Sequence, residues 1–414
     1  MLKQNWLKLN QSGFLPVFSA SIFSYLVAFC GSIIYTHLMG RELFGVYAFC
    51  YNIISFFLLV NGFGASSGIL QFASRANSIE ESNSYLRFAI VLGFSFNFIL
   101  ALCILAYSYL VPIPIAGAKS LLLMMAFFPI GRFYIDVFQA YLRSQKHNHK
   151  LASFVVSTNL ILLIANVSGI YYAQLKGFVV STYLSYVVII ILGIVIFKLP
   201  NPFSLITQKI NHRKFISYSL YVTIGNAFSQ MLFVLDIILL GYLIKDAKTI
   251  AIYKVATIIP FAINFIPGIV SSFFYPDFAK NAANPAYIKE LKSRVQKNML
   301  IFSSIVSVVL IILAKPIIYI IFGSEYSQSV LPFQILSFGF WIVASFRNLN
   351  GNILAALGHA KFSMWLSVFI VIINLILTYI LIIKFGIIGA AIGVVIIYIL
   401  ASVIASYVLR QILS

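Results

Sequence analysis

The chain has 414 residues, of which 62% are hydrophobic and 9% charged, whereas charged residues make up roughly a quarter of a soluble globular protein. That balance excludes a soluble globular domain. The net charge of +19 is not taken as a nucleic-acid signal, because the Lys and Arg residues lie between apolar runs, where a membrane protein needs them for orientation.

A membrane-spanning helix takes about 20 apolar residues, and the sequence is a succession of such runs. The short alternating segments of a β-barrel do not occur. The expected fold class is all-α polytopic membrane protein. Twelve spans are predicted in chain order, at roughly 14–36, 44–72, 86–110, 120–142, 151–173, 177–197, 215–243, 250–275, 298–320, 329–356, 362–383 and 386–409. The first run, preceded by Lys3 and Lys8, is too long for a cleaved signal segment and reads as a retained span. With the N-terminus inside, 18 of the 28 Lys and Arg residues fall in inside segments and 7 in outside ones. This asymmetry predicts that both termini are cytoplasmic. The connection from Pro276 to Lys297 reads as a short surface helix, and Trp6, Tyr109, Tyr172 and Tyr326 as an interfacial belt.

Cys30, Cys50 and Cys103 sit inside apolar runs and read as small core residues. His147 and His149 have no nearby Cys or carboxylate, so no metal site is expected. No phosphate-binding Walker sequence occurs, so ATP hydrolysis by this chain is not expected, and no cofactor is implied.

The two halves repeat. A shift of 206 residues lays Tyr47 on Tyr253, Gly62 on Gly268 and Ser66 on Ser272; a shift of 212 lays Leu142 on Leu354, His147 on His359 and Asp136 on Asn348. Six spans per half leave both halves pointing the same way, the parallel arrangement with a pseudo-twofold axis along the membrane normal. The expected lobes are 1–197 and 215–414, joined by a cytoplasmic linker at 198–214 with Pro200, Pro202 and four basic residues.

Charges at membrane depth are expensive and mark functional sites by default. Arg132 and Asp136 are four apart on one helix face, able to pair as a packing element or to hold an anion with Asp136 released as a protonatable group. Arg347, followed by Asn348, Asn350 and Asn352, has no acidic partner nearby in sequence. Asp236 can tie to Lys254 or Lys245, or carry a coupling ion. Lys254 either snorkels to the interface or contacts substrate. Asn61, with Gly62 and Gly64, and Asn226 are polar residues inside spans 2 and 7, placed for packing or for sugar hydroxyls. Pro260, Pro267, Gly268 and Pro276 interrupt span 8, and broken helices of this kind are typical of transport pathways.

HLMGRELFGVYAF (His37 to Phe49), DIILLGYLIKDAKTIAIYKVATIIP (Asp236 to Pro260), AKPIIYIIFGSEYSQSVLPFQILS (Ala314 to Ser337) and the stretch from Asn352 to Gly393 resemble, in order and spacing, polysaccharide flippases of the multidrug/oligosaccharidyl-lipid/polysaccharide exporter superfamily. The O-antigen (Wzx-type) flippases of lipopolysaccharide biosynthesis are similar in length and span count. The resemblance implies two six-helix lobes in a V, with spans 1, 2, 7 and 8 lining a cavity. It implies a transporter, not an enzyme, moving an undecaprenyl-diphosphate-linked glycan across the bacterial cytoplasmic membrane by alternating access. A proton or sodium ion, membrane lipid, and a polysaccharide polymerase with its chain-length protein are the implied partners. On that reading Arg132, Arg347, Lys254, Asn226 and Asn61 bind substrate, and Asp236 and Asp136 couple the ion. The alternatives are a cation-coupled multidrug exporter, for which the net-positive intramembrane charge is ill suited, and a polymerase or ligase, which would need a long outer loop that the sequence lacks.

Overall fold

The computed structural model describes residues 14–200 and 210–413. Lys3, Trp6, Lys8, Pro202, Lys209 and the centre of the predicted linker lie outside the described residues. Every regular element among the described residues is helical. In chain order these are α1 (Phe14–Leu58), α2 (Ala65–Phe72), α3 (Ile79–Leu110), α4 (Ala118–Met125), α5 (Phe128–Ser144), α6 (Asn148–Val195), α7 (His212–Met231), α8 (Leu235–Ile244), α9 (Ala247–Ile263), α10 (Phe265–Lys280), α11 (Pro285–Ile312), α12 (Ala314–Ile321), α13 (Val330–Ile342), α14 (Asn348–Ala356) and α15 (Ala360–Leu413). Seven helical stretches are long and apolar enough to cross a membrane; two bent pairs, α4 with α5 (45°) and α7 with α8 (53°), reach that length together. The protein is a multi-pass α-helical membrane protein.

The longest helices are not single spans. At 1.5 Å per residue, the 48 residues of α6 would stretch about 72 Å, more than twice the hydrocarbon core. Ala173 and Gln174 break it, Gln174 at φ 51°. A Cβ built on Gly177 would stand 1.8 Å from the Gly169 carbonyl oxygen, and one on Gly169 2.4 Å from the Gly177 oxygen. Along a straight helix those residues would be about 12 Å apart, so α6 doubles back on itself. Ser181 Oγ and Thr182 Oγ1 fasten the hairpin by donating to Asn166 Oδ1 at 2.8 and 3.0 Å. The 54-residue α15 does the same at Gly386, φ 57°, where a Cβ on Gly389 would meet the Leu381 oxygen at 1.9 Å. With no hydrophobic drive between helices in lipid, such close backbone contacts carry the packing. Gly177→Ala is expected to destabilise the protein by about 1–3 kcal/mol through overpacking against backbone. Thermal unfolding in detergent checks it beside Gly351→Ala, where an added Cβ meets nothing within 4 Å and no loss is expected.

Further breaks have local causes. Gly62, Phe63 and Gly64 all take positive φ between α1 and α2. Pro267 has no N–H to donate to residue 263, and the helix breaks there between α9 and α10. Asp246 caps α9 by accepting from the Lys248 and Thr249 N–H groups; burial opposes its charge, but those bonds and the Thr249 hydroxyl hold the carboxyl below its ordinary range. The surface helix expected between Pro276 and Lys297 is instead the first turns of α11, because Asn284 caps Tyr287 N and Pro285 occupies the first helical position.

The chain divides into two compact units, Met1–Leu43 with Cys50–Ala227, and Phe44–Phe49 with Phe228–Ser414. The first is built round Ile69, Leu86, Phe133, Phe138, Phe154 and Phe215. The second has a core of Phe278, Ile288, Leu349, Ile353 and Leu409, with a smaller cluster at Leu232, Leu235, Ile370 and Ile397. Ile164, Leu184, Ile305 and Ile376 are exposed, as side chains facing lipid are.

Candidate functional site

In the first unit the site is placed by one ring. Phe133, fully buried, lies between two glycines: a Cβ on Gly62 would come within 2.2 Å of the ring and one on Gly93 within 2.0 Å. This pins α5 against the break at Asn61–Gly64. The flanking Arg132 and the following turn's Asp136 are thereby set beside Asn61. Arg132 Nε lies 3.1 Å from Asp136 Oδ1, with side-chain exposures of 47% and 29%, so the pair is open on one side. Asn61 Nδ2 donates to Asp136 Oδ2 at 2.9 Å. Asn97 Nδ2 donates to Asn61 Oδ1 at 2.8 Å and to the Pro129 carbonyl at 2.9 Å, while its Oδ1 accepts from Gly62 N at 2.8 Å. Tyr51 and Tyr186 neighbour the guanidinium.

Asp136 also faces a cavity of about 360 Å³ walled by Ser21, Ser24, Tyr25, Ser66, Gln139 and Arg143. Both carboxylate oxygens are engaged, one by a cation and one by an amide, and water can reach the pair. Such a group can exchange Arg132 for another cation or give Arg132 up to an anion.

Fully buried Asn97 is a residue that sequence reasoning missed. A single Asn in an apolar run was the available signal, and its partners 32 to 36 positions away were not visible. Asn97→Leu is expected to free Asn61 and loosen Asp136; on the transporter reading that the resemblance implies, this lowers transport roughly tenfold at unchanged membrane level, in line with about 1–3 kcal/mol for a buried polar partner left unsatisfied. A transport rate normalised to protein in membranes measures it.

In the second unit Arg347 ends a π-helical turn, Val343–Arg347, a type of bulge frequent at functional sites. Its guanidinium lies over two rings, 5.2 Å from Tyr398 and 5.8 Å from Phe233, and no carboxylate pairs with it among the described residues. Tyr398 also neighbours Asp236. Asp236 is buried in the first turn of α8, where the helix N-terminus favours negative charge. Tyr253 Oη reaches its Oδ2 at 3.4 Å. Asn374 adjoins the carboxylate, yet Asp236 Oδ1 and Asn374 Nδ2 are both buried without a hydrogen bond; Thr378 Oγ1 donates to Asn374 Oδ1 at 2.9 Å. Arg347 and Asp236, read separately in the sequence, therefore share one neighbourhood around Tyr398. Tyr253, Asn374, Thr378 and Tyr398 are its unforeseen members.

The other candidates stand apart. Neither Lys254 nor Lys245 pairs with Asp236, and Lys254, seven residues into α9, has no carboxylate partner among the described residues. Asn226 is exposed on α7 outside both networks. Asn348, at the position matching Asp136, donates to Asn264 Oδ1 at 3.1 Å; Asn264 stands at the break before α10 as Asn61 stands at the break before α2. Each unit thus fastens a helix break to the same register of a neighbouring helix, with a carboxylate in one and an amide in the other.

Among solved structures the fold is similar to the lipid II flippase MurJ in an inward closed conformation (TM-score 0.76, 19% identity, 95% of this chain and 87% of that one). It is also similar to an inward-facing multidrug resistance MATE family transporter of the MOP superfamily (0.75, 14%, 94% and 95%) and to a MOP superfamily transporter from Pyrococcus furiosus (0.69, 13%, 97% and 95%). The uncharacterized membrane protein MJ1068 of Methanocaldococcus jannaschii is 25% identical over 435 aligned positions, which take in 97% of this chain and 83% of that protein. Residues 12–282 match the family model described as polysaccharide biosynthesis protein. With broken spans, intramembrane charges and this match agreeing, the chain belongs to the polysaccharide biosynthesis protein family and has the fold of the MOP superfamily transporters.

Proposed function

We propose that the protein flips an undecaprenyl-diphosphate-linked oligosaccharide, an O-antigen or related surface-polysaccharide repeat unit, from the inner to the outer leaflet of the bacterial cytoplasmic membrane. The observation that carries this reading is a guanidinium in each unit: Arg132, nearly half exposed beside Asp136, and Arg347, set against Tyr398 with no carboxylate partner among the described residues. A diphosphate is the part of such a lipid that must leave water, and bidentate guanidinium contacts are suited to it. On this reading α1, α6 and α15 each supply two spans and each bent pair one, for twelve spans, six per lobe, with both termini cytoplasmic. Lys254, Asn61 and Asn226 are proposed as further substrate contacts. Asp136 and Asp236 are proposed to carry the coupling proton or sodium ion, since each has a buried or cavity-facing carboxylate oxygen. Membrane lipid, a polymerase and a chain-length protein complete the proposed partners.

The test is reconstitution of the full chain in vesicles with a fluorescent undecaprenyl-diphosphate oligosaccharide and a membrane-impermeant quencher. Protein-dependent loss of the protected fraction is expected. If the lipid stays protected while the same vesicles move ethidium, the substrate is an organic cation and the multidrug reading replaces this one.

A further inference from the structure

One strongly basic feature lies outside both networks. The second to fifth turns of α11, the π turn before α14 and the last turns of α15 line a groove of about 730 Å³, within the size range of small-molecule sites. Lys289, Lys292 and Lys297 enter it from one stripe of α11, and Arg410 from α15; no carboxylate lines it. Glu290, the nearest acid on α11, is occupied by Arg294 at 3.0 Å on the adjoining face. The four cations have no ion-pair partner among the described residues.

The lining combines polar and apolar side chains. Gln296 donates to the Ser345 carbonyl, within the π turn, at 3.3 Å. Ser406, also in the lining, accepts from buried Asn350 Nδ2 at 2.7 Å. These bonds fix the walls beside the cations. Leu300 and Phe346 supply apolar lining, Leu300 at the point where α11 passes from its charged turns into its apolar run. A small aqueous anion would use only the cations. A molecule with a phosphate and an adjoining hydrocarbon chain would use the apolar lining as well.

We propose that this groove is a binding site for the phosphate headgroup of an anionic membrane lipid, held among Lys292, Lys297 and Arg410, with its chain laid along Leu300 and Phe346. The site is separate from the residues assigned to transport and does not depend on that assignment. Basic pockets between helices at the membrane surface suit such headgroups, each cation contributing roughly a fivefold gain.

Native mass spectrometry of the full chain in detergent tests it, with phosphatidylglycerol, phosphatidylcholine or inorganic phosphate as the probe. Wild type is expected to retain phosphatidylglycerol over phosphatidylcholine. The triple variant Lys292→Ala, Lys297→Ala, Arg410→Ala should lose about fivefold in phosphatidylglycerol affinity per cation removed, with phosphatidylcholine unchanged. The charge-keeping triple Lys292→Arg, Lys297→Arg, Arg410→Lys should retain the preference, which separates loss of charge from misfolding. An unchanged preference in the alanine triple overturns the site. So does an equal loss in Lys176→Ala, Lys315→Ala, Lys384→Ala, which removes three cations elsewhere. Retention of inorganic phosphate as tight as that of phosphatidylglycerol overturns the lipid assignment.

Discussion

Arg132→Ala is expected to abolish glycan export, by a hundredfold or more, while the protein level in the membrane stays near wild type. The size follows from what the guanidinium does on the proposed reading. A bidentate, charge-assisted contact to a desolvated anion contributes about 1.5–3 kcal/mol per hydrogen bond, and two such bonds exceed a factor of 100 in rate. The protein should survive because Arg132 is nearly half exposed and its loss leaves Asp136 still bonded to Asn61. Arg132→Lys should restore little, since a point charge cannot supply two parallel donors. Surface glycan and immunoblots of membranes read both quantities. A variant that exports normally removes the diphosphate role; one that vanishes from the membrane makes the pair a packing element.

Asp236→Asn should flatten the dependence of transport on the driving gradient. In wild type the buried carboxylate keeps one oxygen without a hydrogen bond, and on the proposed reading that oxygen takes up the coupling ion. The amide has no charge to neutralise, so the variant should run at the gradient-free rate at every pH and sodium concentration, a loss on the order of tenfold under a full gradient. The measurement is flipping in proteoliposomes across graded pH and sodium. A variant as sensitive as wild type leaves Asp236 with a structural role only. Because Tyr398 neighbours both groups, Arg347→Ala should alter the ion dependence as well as the rate, an effect that a substrate contact alone would not produce.

Fold class was legible because it follows from chemistry that acts residue by residue. Apolar run length, the side taken by Lys and Arg, and the cost of a charge in hydrocarbon need no knowledge of which helix meets which. Arg132 with Asp136 was legible for the same reason, being a spacing within one turn. What stayed hidden depends on long-range packing. Asn97 reads as an isolated polar residue until the break at Asn61–Gly64 is folded against it, and Asn374 and Thr378 lie more than a hundred positions from Asp236 in sequence. The tie of Asp236 to Lys254 or Lys245, one of two alternatives in the sequence, does not form: the carboxylate meets Tyr253 and Asn374 instead. The charged stretch near Lys289 is not a separate surface helix, because capping by Asn284 starts α11 there and the helix continues unbroken to Ile312.

The hairpins at Ala173–Gln174 and Gly386 have a practical consequence for topology mapping. Their turns are one or two residues long, and the helices on either side touch backbone to backbone within a turn of the bend. There is no slack there to accept an epitope or a reporter, and an insertion would part the helices that the glycines hold together. The stretch 111–114, which carries no helix and precedes buried Ile115, can be lengthened without disturbing such a contact, and reporters placed there should leave the fold intact.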